Sequence, residues 1–413
     1  RDNTMKRRDF VKLGATTFAC GNITATYADD EKKDDTAVLF LFLGGGASHI
    51  ETFNPVPFAP ADRRSVTGAT KTNVAGVELG GLFKEVSKHT DKIAIPRSFG
   101  HRDQNHASAV HWVVTGEANF GAGTSSKWPS YGSMMSKHHG VNTEDGLPTY
   151  VKLGSYDHNG AAWLGGKYTG FDATREGRKD LQLLGKSDDF KRRLHALNVI
   201  DGNFIAKKQQ MAKDWSDLRN QSVDIILGNG SKAFRFENDK DYDKFKEATL
   251  GQDALTAIRL LEAGSKFVSL SYGGWDMHTT IGQALSTKQV ELDHYLGKIM
   301  DTLEARGMYE RVMLVVTSEF GRTPKVNQNQ GRDHFGKLAP LMISCGSYEM
   351  GRTIGASSPN ADDFDQGRCG PEDLAWTIYD HLDMMKPTRY TATDGRPHSI
   401  VKEDSKNILK DIA

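Results

Sequence analysis

Continuous apolar runs dominate the hydrophobic pattern of the chain. The first run, Ala-Val-Leu-Phe-Leu-Phe-Leu at residues 37–43, ends at three consecutive glycines, Gly44 to Gly46. A strand that is apolar on both sides is typical of a parallel sheet with two covered faces. The pattern therefore predicts six buried strands, which include further runs at residues 92–95, 150–153, 267–272, 312–317 and 340–344.

Helical periodicity lies between these runs and after the last of them. Residues 253–263, 287–306 and 371–382 carry apolar side chains at three- and four-residue spacing, and Gly264 and Gly307 follow the first two segments as predicted left-handed caps. Alternation of strands and helices predicts an α/β protein with a mostly parallel central sheet and helices on both faces.

The chain divides into two parts by composition, and the second part contains an insertion. Residues 1–36 contain Met-Lys-Arg-Arg-Asp-Phe-Val-Lys at residues 5–12 and then a weakly apolar stretch, which resembles a twin-arginine signal followed by a short linker. A basic amphipathic first helix is the alternative. Residues 37–413 are predicted to form one domain, in which the Lys- and Asp-rich residues 171–250 form a helical insertion. A periplasmic or extracellular location is expected.

Charge and cysteine content limit the partners. The 413 residues contain 53 Lys and Arg and 53 Asp and Glu, so no net charge attracts nucleic acid. Beyond the signal no run approaches the ~20 apolar residues that a membrane span requires. Cys345 and Cys369 are equally compatible with a disulfide and with two buried thiols.

Polar side chains follow several of the predicted strands. Asp276 and His278 come after the run at 267–272, and Glu319 and Arg322 come after the run at 312–317. Ligands of open α/β sheets bind outside the carboxyl ends of the strands. We therefore expect these side chains to share one site.

Carboxylates and imidazoles in these clusters suit a divalent metal such as Zn, Mn, Ca or Fe. The predicted ligands are Asp276, His278, Glu319, Asp333, His334 and Glu51. Two other interpretations stay open. Asp276 would cap the next helix while His278 is exposed, and Glu319 would form an ion pair with Arg322.

A histidine-rich segment opens another predicted helix, which ends at Gly116. His106 and Ser108 lie near its start, where the helix supplies free N–H groups and the positive end of its dipole, so either residue would face an anion or a metal. A histidine-rich helix start with purely structural hydrogen bonds is the alternative.

Four of the motifs together resemble the domain of unknown function 1501 family. They are Gly-Gly-Gly-Ala-Ser-His-Ile-Glu at 44–51, Tyr-Gly-Gly-Trp-Asp-Met-His at 272–278, Ser-Glu-Phe-Gly-Arg-Thr-Pro at 318–324 and Gly-Arg-Asp-His at 331–334. The resemblance runs from about residue 37 to the end. The family is similar to a branch of the alkaline phosphatase and sulfatase superfamily.

This resemblance implies an alkaline phosphatase-like fold and hydrolysis of phosphate or sulfate esters on a small molecule or a polysaccharide. His106 stands where sulfatases carry their nucleophilic cysteine, so His106 or Ser108 is a candidate nucleophile. A metal-activated water, with Arg322 stabilising the developing charge, would need no protein nucleophile. The alternative is a catalytically inactive member that binds a glycan or a protein partner at the cell surface.

Overall fold

An eight-stranded sheet forms the centre of the computed structural model, which describes residues 35–119, 126–174, 229–386, 389–392 and 395–412. Its strands are β1 (Ala37–Phe42), β2 (Ala94–Pro96), β3 (Tyr150–Leu153), β4 (Phe171–Asp172), β5 (Phe267–Ser271), β6 (Val312–Thr317), β7 (Leu341–Ser344) and β8 (Arg352–Ile354). They lie in the order β8-β2-β7-β6-β1-β5-β3-β4.

The sheet is mostly parallel, as the sequence predicts. β7 runs antiparallel to β6 and β2, and the other neighbouring strands of this sheet are parallel. All six predicted strands are present. The two strands that the pattern missed, β4 and β8, are short edge strands whose side chains are largely not buried, so no continuous apolar run marks them.

Seven α-helices are present in the described residues. They are α1 (His106–Thr115), α2 (Tyr131–His139), α3 (Tyr242–Phe245), α4 (Thr249–Glu262), α5 (Ile281–Ala305), α6 (Pro371–His381) and α7 (Ile408–Asp411). Gly264 and Gly307 follow α4 and α5 with φ of 109° and 66°, which confirms the predicted caps.

Shorter elements complete the described fold. Turns of 3-10 helix occupy Val86–Lys92, Ala162–Leu164, Gly166–Tyr168, Asn229–Phe234 and Phe236–Asn238. Two-stranded antiparallel pairs join Ala69–Lys71 to Glu78–Gly80, Gly321–Arg322 to His334–Phe335, Ala356–Ser357 to Phe364–Gln366 and Arg389–Thr391 to Pro397–Ser399.

Helices cover both faces of the sheet because alternate β1 side chains point in opposite directions. Leu39 and Leu41 pack in one core cluster with residues of α4 and α5. Phe40 and Phe42 pack in another with residues of α1, α2 and α6. Full burial of such a side chain stabilises the fold by roughly 1.5–3 kcal/mol. The predicted α/β architecture is confirmed.

Other predictions concern the termini and the cysteines. Residues 34–413 form one compact unit by their contacts. The predicted signal and most of the predicted helical insertion lie outside the described residues, so both stay predictions. Cys345 and Cys369 are buried free thiols. No helix of the described ranges is long and apolar enough to cross a bilayer.

Candidate metal centre

The glycine turn after β1 brings two other segments close together. Gly45 has φ of 111°, and a Cβ there would lie 2.7 Å from the backbone N of Asp276. Gly46 has φ of 76°, and a Cβ there would lie 2.3 Å from the Phe320 ring. Only glycine combines this backbone with such close contacts. The turn thus allows the segments after β5 and β6 to meet at the carboxyl ends of these central strands.

His106, Asp276 and His334 converge at these strand ends. Each offers one ligand atom, and these atoms all lie within 4.8 Å of one another. Asp276 is the centre of the group, because its Oδ1 lies 3.2 Å from His334 Nε2 and its Oδ2 lies 3.6 Å from His106 Nε2. Metal–ligand bonds of about 2.0–2.2 Å place two ligand atoms up to roughly 4 Å apart. Small side-chain movements would therefore complete a metal centre.

Three imidazole rings are held in the same way around Asp276. In each ring Nδ1 is hydrogen-bonded to an oxygen that accepts, so the neutral ring has its lone pair at Nε2. Among the described residues this lone pair has no donor in His106 and His334, whereas that of His278 accepts from Arg322 Nη1. The Nδ1–oxygen pairs are His106 with Glu319 Oε1 (2.8 Å), His334 with the Gln104 carbonyl (2.9 Å) and His278 with Asp333 Oδ1 (2.9 Å). Such outer partners are characteristic of metal-binding histidines.

Charges in the cluster favour a metal-binding state of two of the ligands. Burial opposes ionisation of Asp276, but the hydrogen bond and charge of Arg322 outweigh it and lower the pKa of Asp276 to about 2. Burial lowers the pKa of His334, which keeps that ring neutral. The hydrogen bond to Glu319 raises the pKa of His106, so a cation at its Nε2 would compete with a proton.

Arg322 positions Asp276. Its side chain is fully buried, and Nη2 lies 2.5 Å from Asp276 Oδ1. The remaining N–H groups also have acceptors, namely the carbonyl oxygens of Gly45, Gly46 and Arg332 and the Nε2 atom of His278. All five N–H groups are therefore used within the chain. This geometry supports a positioning role for Arg322 and leaves no donor for a substrate.

His278 lies beside the cluster and faces the same guanidinium. Its Nε2 is 3.0 Å from Asp276 Oδ1 and 3.1 Å from His334 Nε2, but also 3.3 Å from Arg322 Nη1. A cation bound at this atom would repel Arg322. His106, Asp276 and His334 are therefore the better placed ligands, with His278 as their neighbour.

The structure brings most of the predicted site residues together, but some of them have a role other than the predicted one. Glu319 and Asp333 lie behind His106 and His278. The Glu319–Arg322 ion pair is not formed, because Arg322 pairs with Asp276. The residue that precedes α5 as its N-cap is Thr280, so Asp276 does not cap that helix.

Glu51 and Ser108 lie outside the cluster. Glu51 forms a fully buried ion pair with Arg332 at 2.9 Å and also accepts a hydrogen bond from Ser65. Ser108 is buried in the first turn of α1, where its N–H donates to Asn105 Oδ1. Neither is among the three residues whose ligand atoms converge.

The sequence did not predict the groups that hydrogen-bond to the outer side of the cluster. The Gly45 N–H donates to Glu319 Oε1 at 2.8 Å, and Ser318 Oγ donates to Glu319 Oε2 at 3.0 Å. The Gln104 carbonyl fixes His334. Backbone groups of this kind leave no signal in a residue pattern.

We expect Glu319→Gln to weaken metal binding about 10- to 100-fold, as is typical for outer partners of metal ligands. A neutral amide no longer increases the basicity of His106. Competition with a chromogenic chelator measures the change. Glu304→Gln, at an exposed carboxylate of α5, is the matched control. Equal affinity of wild type and Glu319→Gln would contradict the role of Glu319.

The sequence and this arrangement define an α/β protein with a His/Asp cluster at the carboxyl ends of its central strands. The family model described as "Protein of unknown function (DUF1501)" matches residues 35–412. The chain belongs to the DUF1501 family, which confirms the resemblance seen in its motifs. No curated protein matches the chain.

Solved structures of low sequence identity are similar to this one. The lipoteichoic acid synthase LtaP from Listeria monocytogenes is 11% identical with a TM-score of 0.40, over 86% of this chain and 74% of that one. The PsFucS1 sulfatase from Pseudoalteromonas sp. is 12% identical with a TM-score of 0.42, over 84% and 68%. A protein in the alkaline phosphatase superfamily from Vibrio parahaemolyticus is 11% identical with a TM-score of 0.39, over 92% and 71%.

Proposed function

We propose that this chain is an exported, metal-dependent hydrolase of phosphate or sulfate esters. The observation that carries the proposal is the convergence of His106 and His334 on Asp276, each imidazole with its Nδ1 held by an accepting oxygen. This arrangement directs the free Nε2 atoms toward one carboxylate. It supports a metal centre better than a set of structural hydrogen bonds, in which both ring nitrogens would have partners of opposite kind.

The donor set narrows the choice of metal. Two imidazole nitrogens and one carboxylate oxygen suit Zn, Mn or Fe. Ca prefers six to eight oxygen ligands, which His106 and His334 do not supply. The residues therefore fit a transition metal or zinc, and Ca is the least suitable of the four metals considered from the sequence.

The side chains of the cluster have distinct parts in the proposed reaction. A bound divalent ion would polarise an ester oxygen and lower the pKa of a bound water. Asp276 stays ionised because Arg322 holds it. Glu319 keeps the Nδ1 proton of His106 in place. The Asp276 side chain is 48% exposed, so the cluster is open to a substrate from solvent.

Hydrolysis by water fits this geometry better than attack by a protein nucleophile. His106 belongs to the candidate ligand set, and Ser108 is buried outside it. The choice of phosphate or sulfate esters, on a small molecule or a polysaccharide, rests on the motifs that resemble the superfamily. Export rests on the twin-arginine-like N-terminus.

Turnover of an aryl phosphate and an aryl sulfate tests the proposal. The full chain is purified, its metal is measured, and the activity is compared before chelation, after chelation and after addition of Zn, Mn or Fe. We expect turnover of one ester, loss after chelation and recovery with one metal. Stoichiometric metal without turnover of either ester would contradict the hydrolase and favour the inactive binding protein.

A further inference from the structure

Two exposed glycines lie between β5 and Asp276. Gly273 and Gly274 follow Tyr272 in the segment that leads to the metal cluster. Throughout the described ranges, the N–H of neither glycine donates a hydrogen bond. Successive free N–H groups of this kind are suited to binding an anion.

The ammonium group of Lys288 lies against the same segment. Lys288 extends from α5, and its Nζ is 3.7 Å from the centroid of the Tyr272 ring. Gly274 has φ of 90°, and a Cβ there would lie 3.3 Å from this Nζ. The missing side chain therefore leaves room for the ammonium against the Gly274 backbone.

Lys288 forms no ion pair within the described residues. No carboxylate there lies within ion-pair distance of its Nζ, and no carbonyl accepts from it. Burial lowers the pKa of its ammonium group, and the charge of Glu291 on the same helix acts in the opposite direction. Lys298 on the same helix provides a contrast. Its Nζ also lies over a tyrosine ring, that of Tyr295 at 5.5 Å, but it donates to the Lys244 carbonyl at 2.5 Å. The Lys288 ammonium thus keeps its donors for another partner.

The glycines lie close to the metal cluster along the chain. Gly274 is two residues before Asp276, so their Cα atoms are at most roughly 7 Å apart. A substrate whose ester reaches Asp276 would extend past Lys288 if it carries a further group on that side. A cation with two N–H groups suits a sulfate, phosphate or carboxylate there.

We infer that Lys288 and the N–H groups of Gly273 and Gly274 form an anion subsite that binds a second charged group of the substrate. The substrate is then a polyanionic ester, in which the group that is hydrolysed has a charged neighbour. That the bound molecule is a substrate rests on the proposed function. The anion subsite itself is testable without turnover.

Two matched ligands, one with a single anionic group and one with two, test whether the second group is bound. The probes are a naphthalene monosulfonate and the corresponding naphthalene disulfonate, which share one ring system and bind metals weakly. Isothermal titration calorimetry on the full chain measures both affinities. We expect wild type to bind the disulfonate about tenfold more tightly than the monosulfonate. This ratio corresponds to the lower limit of the free energy that one hydrogen bond to a charged group contributes. Lys288→Met should lose this preference while keeping the aliphatic contact with Tyr272.

Two further variants control for structural damage. Lys298→Met, the matched lysine on α5, should keep the wild-type preference, and Lys288→Arg should keep most of it because the charge remains. Thermal melting confirms that each variant is folded. A disulfonate preference that survives in Lys288→Met, or that is missing in wild type, overturns the subsite.

Failure of the subsite is distinguishable from failure of the proposed function. Metal and turnover without a disulfonate preference would contradict the subsite alone. A Lys288-dependent preference in a protein without metal or turnover would support the subsite and contradict the hydrolase.

Discussion

His334→Ala is expected to remove the bound metal from the protein and leave the protein folded. The ring supplies one of three converging ligand atoms, 3.2 Å from Asp276 Oδ1, and its Nδ1 is fixed by the Gln104 carbonyl. Loss of a ligand should weaken binding by more than the roughly 10- to 100-fold expected for an outer partner. The side chain is 25% exposed and lies on a two-residue strand, so its removal leaves no core cavity.

Elemental analysis of the purified chain measures metal per protein, and thermal melting measures the fold. His294→Ala, an exposed histidine of α5, is the control and should keep the wild-type metal content. If His334→Ala retains one metal per chain, the ion is bound elsewhere and the proposed centre is wrong.

Glu51→Ala is expected to lower the free energy of unfolding by about 3–5 kcal/mol, because it leaves a buried charge without its partner. The side chains of Glu51 and Arg332 are both 0% exposed and are joined at 2.9 Å. Ser65 Oγ and the Val66 N–H also donate to the Glu51 carboxylate. The substitution would leave the buried Arg332 charge without its counter-ion, and the Nε–H of Arg332 and the Val66 N–H without an acceptor. Urea unfolding measures the change.

The same variant distinguishes the structural role of Glu51 from the ligand role expected from its sequence position. The folded fraction of Glu51→Ala should contain as much metal as wild type. Glu85→Ala, which breaks the exposed pair with Lys88, is the control and should cost at most about 1 kcal/mol. Loss of metal without loss of stability would instead support Glu51 as a ligand.

The sequence predicted the buried strands, because burial on both faces requires apolar residues throughout a strand. β1 and β6 are buried on both faces, and their continuous apolar runs identify them. β4 and β8 lie at the edges of the sheet, where polar and partly exposed side chains are tolerated. Backbone hydrogen bonding defines such strands, and it depends on the neighbouring strand rather than on side-chain type.

The sequence predicted which residues lie near the candidate site better than it predicted what each of them does there. Asp276, His278 and Glu319 were found because they are polar and follow β5 and β6, and His334 because it belongs to a cluster of polar residues. A residue pattern contains no distances, so it does not separate a carboxylate that faces an ion from one that lies behind an imidazole, as Glu319 does. The burial of Glu51 depends on Arg332, which is distant in sequence.

β1 lies at the centre of the sheet, but it precedes both of its neighbouring strands in the sequence and is synthesised long before them. Val38 pairs with Phe267 on one side and with Met313 on the other, so both neighbours of this strand are synthesised more than 200 residues later. At about 5–20 residues per second, a six-residue apolar strand waits for at least roughly ten seconds without its partners. Pairing over such separations is slow. The nascent chain therefore exposes an aggregation-prone segment throughout most of its synthesis, and a chaperone that binds extended apolar peptides should engage residues 37–42.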